Sequence, residues 1–302
     1  MKPFADALGR QMAKDPRLVV VEADLGRSSG TSALRELFPS RYVNTGIAEQ
    51  HAVGLACGLA LTGWHPVVHT FAAFASMRSC EQIRTGAAYG ELPVVICASK
   101  GGFGASASGP THHATEDLAI IRSMPNTTVA TPGTWEEVEE HLASAVGRSG
   151  PTYIRLPVST TASDDTSPLG ADVVIVALPA MMQTANEAKR ILQTNGIPCG
   201  AVRANYIKPL DSKVRDAIKS ASVIVTIEDH SIIGGLGSAV LESDERPHTS
   251  VVLRFGVKDR FCAVAGEMQE LLDRFVGSPE EIASAASTSW LSSHSRESKV
   301  HA

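Results

Sequence analysis

The 302-residue sequence carries a net charge of −5, with 27 basic against 32 acidic side chains and no basic block, a balance that excludes phosphate-backbone recognition as its main role. At roughly 150 residues per domain the length predicts two domains, each with its own core, and apolar (43%) and charged (20%) fractions of this size exclude a disordered chain. No apolar run reaches the roughly 18 residues that span a bilayer, and five widely separated cysteines suit reduced core thiols, so a cytoplasmic protein with neither nucleic acid nor membrane as partner is expected.

In chain order, strand-length apolar runs occur at 17–24 (RLVVVEAD), 65–71 (HPVVHTF), 93–99, 127–131 and 152–156. Continuous apolar runs mark strands buried on both faces. Helix-period segments lie between them at 48–61, 72–88, 115–124 and 134–146, and such alternation predicts a parallel α/β sheet. Residues 161–170 are rich in Ser, Thr, Asp and Gly and read as a linker. A second α/β unit over 171–277 has strands at 172–178, 198–204, 222–228 and 249–255, with helices near 180–195, 211–220, 235–243 and 266–276. The fold class is therefore α/β: two consecutive open, mostly parallel α/β domains, 1–160 and 171–277, followed by a Ser-rich tail, 278–302, expected to be partly disordered.

Ligands of open parallel sheets gather beyond the carboxyl ends of the strands. Four loops there carry unusual residues. The first, from Glu22 to Gly30, follows a strand and offers small residues and hydroxyls, either to an anion at a helix start or as a capped turn. The second, TGIAEQH, places Glu49 at the head of a helix of Ala, Gly and Leu. An acid in a first turn compensates the helix dipole, but close packing of small residues also gives Glu49 a partly apolar setting, where a carboxyl stays protonated and can donate. In the third, Phe71, Phe74 and Met77 recur at three-residue spacing and form either core or a flat wall for a planar heterocycle. The fourth, Ser99 to Asp117, is a long Gly/Ser stretch with paired histidines. It reads as a structured loop over a cleft, with nothing in it to build a core. A glycine cluster, Gly234 to Gly237, lacks the spacing of a phosphate loop and reads as close packing at a helix start.

The segments FPSRYVNTGIAEQHAVGLACGLAL, HTFAAFASMRSCEQIR, GPTHHATEDLAIIRSMPNTTVATP and GPTYIRLP resemble, in order and spacing, the pyrimidine-binding domain of transketolases and deoxyxylulose-phosphate synthases. The second unit is similar to the carboxyl-terminal domain of the same enzymes. The resemblance implies thiamine diphosphate as cofactor, held between two subunits. It makes Glu49 the glutamate that hydrogen-bonds N1′ of the aminopyrimidine, and Phe71, Phe74 and Met77 the ring pocket, although Met77 stands where Tyr is common. It likewise makes Asp24 the acid near the ring, His112 the substrate-facing histidine, and Arg155 with Ser28 the sugar-phosphate ligands. Ser108 replaces an Asp that recognises a donor hydroxyl, and Lys100 replaces a His. Losing such an acceptor changes discrimination among sugars by orders of magnitude.

The same family holds Mg²⁺ and the diphosphate with a GDG segment followed by Asn, and GDG is absent from this sequence. The resemblance therefore implies a split transketolase: an amino-terminal partner subunit carries the diphosphate and Mg²⁺ site, in an α2β2 heterotetramer acting on a small sugar or keto substrate. Two other enzymes share the architecture, the beta subunit of a 2-oxo acid dehydrogenase and a deoxyxylulose-type decarboxylating synthase. Transfer to a lipoyl carrier is a further enzymatic reading, and a non-catalytic regulatory or scaffold subunit is the reading outside enzymes.

Overall fold

Residues 2–159 and 170–300 are described by a computed structural model. The chain opens with α1 (Lys2–Lys14), β1 (Leu18–Glu22), the short turns α2 (Gly26–Ser29) and α3 (Leu34–Leu37), and β2 (Tyr42–Asn44). It continues with α4 (Glu49–Leu61), β3 (His65–Phe71), β4 (Val95–Ser99), α5 (Asp117–Arg122), β5 (Thr128–Ala130), α6 (Trp135–Ala145) and β6 (Thr152–Arg155). The second unit comprises β7 (Val173–Ala177), α7 (Met182–Thr194), β8 (Cys199–Arg203), β9 (Tyr206–Lys208), α8 (Ser212–Ile218), β10 (Val223–Ser231), α9 (Leu236–Leu241), β11 (Val251–Val257), α10 (Met268–Phe275) and α11 (Pro279–Val300).

The first sheet runs β2-β1-β3-β4-β6-β5-β9, parallel but for antiparallel β9. Alternation along its strands feeds two cores. Val20, Val67, Val95 and Ile154 pack under α1 and α6 with Leu8, Met12, Val138 and Leu142. Val21, Val68, Ile96 and Tyr153 pack under α4 and α5, and that core continues into the second unit through Val174, Val176, Ile224 and Leu236. Helix α6 is fixed at its start by a capping box between Thr134 and Glu137. The second sheet, β11-β10-β7-β8, is wholly parallel.

Four expectations change. Residues 72–88 do not form one regular α-helix: 74–78 and 82–88 take wider π turns, with Ser79 N donating to the Phe74 carbonyl at 3.2 Å. Strands β2 and β9 are too short to stand out from their neighbours, and β9 carries residues of the second unit into the first sheet. The tail is not weakly structured: Ile282, Ala283 and Ala286 of α11 are buried, Trp290 packs beside them, and its Nε1 donates to Asp172 at 3.3 Å. Serine hides this helix from a composition reading because its hydroxyls turn back onto helix carbonyls, as Ser292 does to Thr288 at 2.8 Å. Phe103, in the loop expected to hold no core residue, is fully buried among Val173, Ile175 and Ile227 of the second unit. The expected linker lies, but for Gly170, outside the described residues. The described residues contain five free cysteines and no helix long and apolar enough to cross a membrane.

Candidate functional site

Strands β1 and β3 are neighbours, and the chain passes from β1 to β2 on one side and from β3 to β4 on the other, so the connections leaving them diverge. A crevice opens beyond the carboxyl ends at such a switch point. Glu22 closes β1 and faces His69 of β3 in register, Oε1 to Nδ1 at 2.7 Å with both side chains wholly buried. The Glu22 carboxylate also accepts from Thr31 Oγ1 and, at 3.1 Å, from the Leu25 N–H. Its backbone carbonyl accepts from Thr45 N and Oγ1 at 2.9 and 3.0 Å. Asn44 and Asp24 exchange hydrogen bonds at 3.1 and 3.2 Å, and Asn44 Oδ1 takes the Gly46 N–H at 2.9 Å. Gly46 turns at φ +74°, a conformation that costs glycine little. These ties set the direction in which α4 begins, and Glu49 is its first residue, 2% exposed.

Arg78 meets that carboxylate, Nη1 to Glu49 Oε2 at 2.9 Å, and its guanidinium lies over the Phe74 ring at 4.4 Å from the centroid. The partly apolar setting expected for Glu49 from the small residues behind it thus also holds a cation, in an ion pair that spacing alone did not give. Phe71 ends β3 and Phe74 begins the first π turn, their rings 6.0 Å apart and inclined by 34°. His112 stands edge-on to both, at 6.2 and 5.3 Å. Met77 is 51% exposed at the rim. A cavity of about 440 Å³ adjoins this wall, lined by Phe74, Met77, Arg78, Thr111, His113 and Phe261 among others. Burial holds the His113 imidazole below its ordinary value.

The remaining expected residues are more dispersed. Asp24 (φ +60°) and Lys100 (φ +62°) are both exposed and both in the left-handed region, directly beyond β1 and β4. Such backbone strain collects where loops meet ligands. Ser108 is exposed, and His112 Nδ1 pairs with Thr111 Oγ1 at 3.0 Å. Ser28 is exposed, but its hydroxyl donates to the Leu25 carbonyl at 2.9 Å. Arg155 lies elsewhere. It ends β6, which β3 and β4 separate from β1, so at about 4.8 Å per strand it stands about 14 Å along the sheet from the Ser28 loop. Its buried guanidinium donates to Asp229 Oδ1 at 3.0 Å and to the Ala114 carbonyl at 3.3 Å, and its Nε is 3.3 Å from Asp117 Oδ2. Tyr153 OH donates to the same Asp117 at 2.7 Å. Burial pushes the Asp229 carboxyl above the usual carboxylate range, against the pull of Arg155. The expected joint grip of Arg155 and Ser28 on one phosphate is thus not assembled. Two carboxylates hold Arg155 where the two units meet.

Two features escaped the sequence reading. Arg78 was legible as the cation four residues after Phe74, hence on its helix face. The Glu22–His69 pair was not, because only strand register brings the two together. The glycine cluster does pack closely: a Cβ on Gly235 would meet Glu228, whose carboxylate accepts from the N–H groups of Leu236 and Gly237 at 2.7 and 2.9 Å.

Comparison with known proteins places these observations in a family. The profile of the transketolase pyrimidine-binding domain matches residues 1–162, and that of the transketolase C-terminal domain matches residues 164–282. A transketolase C-terminal section of Methanocaldococcus jannaschii is 35% identical over 297 residues, covering 93% of each chain. A 1-deoxy-D-xylulose-5-phosphate synthase of Rhodopirellula baltica is 34% identical over 92% of this chain, which spans 46% of that longer protein. Among solved structures, a split-gene transketolase described as an inactive β4 tetramer superposes with a TM-score of 0.81 at 35% identity, covering 96% of this chain and 97% of the other.

Proposed function

This chain belongs to the transketolase family, and we propose from that premise that it forms the pyrimidine-binding half of a thiamine-diphosphate-dependent transferase, completed by a separate chain that carries the Mg²⁺ and diphosphate site. The observation that carries this reading is Glu49: a carboxylate 2% exposed at the switch-point crevice, beside the tilted pair Phe71 and Phe74. A carboxyl group that can share a proton with a ring nitrogen, next to an aromatic face, fits the aminopyrimidine half of the cofactor. When bound, thiamine diphosphate supplies the electron sink that lets a carbon–carbon bond beside a carbonyl break.

The chain's own residues have narrower tasks in this reading. Glu49 holds a proton at the pyrimidine nitrogen, and Phe71 and Phe74 support the ring with Met77 at its rim. Asp24 lines the same end of β1. His112, edge-on to both rings, faces the substrate and can hold the proton of a substrate hydroxyl, with Lys100 and Ser108 on the loops beside it. The likeness to a C-terminal section and to a split-gene chain supports a separate partner, and an α2β2 assembly in the cytoplasm is the form proposed for it. A two-carbon ketol unit is the group transferred.

Mixing the chain with its diphosphate-binding partner, Mg²⁺ and cofactor tests this. Transfer from xylulose 5-phosphate to an aldehyde is expected, whereas CO₂ release from pyruvate would favour the decarboxylating synthase that the Rhodopirellula relative represents. The Glu49→Gln complex should assemble normally and lose most turnover. Near wild-type rates would remove Glu49 from the site, and tight cofactor binding by this chain alone would refute the divided site.

A further inference from the structure

We infer that Arg78 is a stand-in for the aminopyrimidine ring, a positioning residue that occupies two of the ring's contacts on this chain, Glu49 and Phe74, until the cofactor displaces it. The inference rests on the pyrimidine-site reading of Glu49 and deepens it. A carboxylate only 2% exposed needs a counter-charge or a hydrogen-bond donor. Among the described residues the side chain that meets it is Arg78, at 2.9 Å. The same guanidinium lies 4.4 Å from the centroid of Phe74. It is flat, presents N–H groups in its plane and stacks on aromatic faces. An aminopyrimidine protonated at its ring nitrogen offers the same combination, an in-plane donor toward Glu49 and a face toward Phe74. One ring surface and one carboxylate edge cannot serve both occupants at once.

The arrangement also shows which partner yields. The Arg78 side chain is 46% exposed and lines the 440 Å³ cavity, so it has a way out into solvent, whereas Glu49 has none. It sits on the π turn 74–78, whose carbonyls bond outside the regular α pattern. Because the incoming ring takes Arg78's place at Glu49 while the guanidinium moves out to solvent, the exchange leaves no buried charge unpaired, so the stand-in keeps Glu49 paired and aimed without barring the ligand.

The test is calorimetric titration of thiamine diphosphate, at saturating Mg²⁺, into the complex of the full chain with its diphosphate-binding partner. Arg78→Ala should tighten the cofactor about fivefold. Arg78→Gln, which keeps a planar end but no charge, should fall between and serves if Arg78→Ala fails to assemble. In a Glu49→Gln background the Arg78→Ala gain should vanish, since the competing pair is already gone. Unchanged or weaker binding by an assembled Arg78 variant overturns the stand-in and leaves the pyrimidine site in place. Absence of binding by the wild-type complex overturns the cofactor reading and the stand-in with it.

Discussion

Glu22 and His69 face each other across β1 and β3, 2.7 Å apart and wholly out of solvent, and the same carboxylate receives Thr31 and the Leu25 N–H. Glu22→Ala would leave a buried imidazole, a hydroxyl and an amide without their acceptor. Removing one member of such a group typically costs about 3 kcal/mol or more. Urea unfolding should show that loss as a lower midpoint at unchanged m-value. A loss below about 1 kcal/mol would mean that the three donors find other partners.

Phe103 ties the loop bearing Ser108 and His112 to the second unit, packing near Phe275 (6.1 Å) and His113 (5.2 Å). Phe103→Ala is expected to cost about 3–5 kcal/mol, as fully buried Phe truncations do. Limited proteolysis should then cut first within 100–112, because the anchor of that loop is gone. Wild-type protection there would show that Arg155 and the β-bridge between Gly102 and Ala114 hold the loop without it.

Arg155 lies between Asp117 and Asp229, and burial raises Asp229 above its ordinary value of 3.8. A carboxyl that titrates higher in the folded state binds protons more readily folded than unfolded. Its contribution therefore favours the fold in acid and is lost as pH rises from 3.8 through the raised value. Asp229→Asn keeps an acceptor for Arg155 and removes the titration, so its stability should fall less than that of the wild type as pH rises above 3.8. Thermal melts of both proteins across that range are the measurement. Parallel curves would assign the slope to other groups.

Helix α11 docks through Ile282, Ala283 and Ala286. Placing a charge at the fully buried Ala286 by Ala286→Asp should destabilise by about 3 kcal/mol, whereas Ser292→Ala on the exposed face should stay within about 0.5 kcal/mol. Equal effects in differential scanning calorimetry would show that the helix does not pack in solution as described.

Much of this architecture was legible in the residues, and the reasons it was or was not are local. Runs such as Leu18–Val21 announce strands because every side chain is apolar, and a run of that kind has only a sheet buried on both faces to occupy. Glu49, Phe71 and Phe74 were legible as candidates because each ends a strand or opens a helical turn at the sheet's carboxyl edge, and His112 because it stands in the long loop after β4. Arg155 has neighbours that family position does not give: Asp117 and Asp229 come from different units and meet it only in the fold. Glu22 with His69 depends on register, β9 on three residues without a pattern of their own, and α11 on serines that compete for backbone bonds in short peptides yet point outward here.

Strand β9 gives the order of synthesis a structural meaning. Val129 and Ala130 of β5 pair with Lys208 and Tyr206, which leave the ribosome only after β7 and β8 have followed. Until then β5 is an unpaired edge, open to any other extended chain nearby. The first sheet therefore reaches its final width only once β7, α7 and β8 of the second unit have emerged, and the nascent chain passes through an interval in which shielding of that edge, rather than the stability of the finished fold, decides its fate.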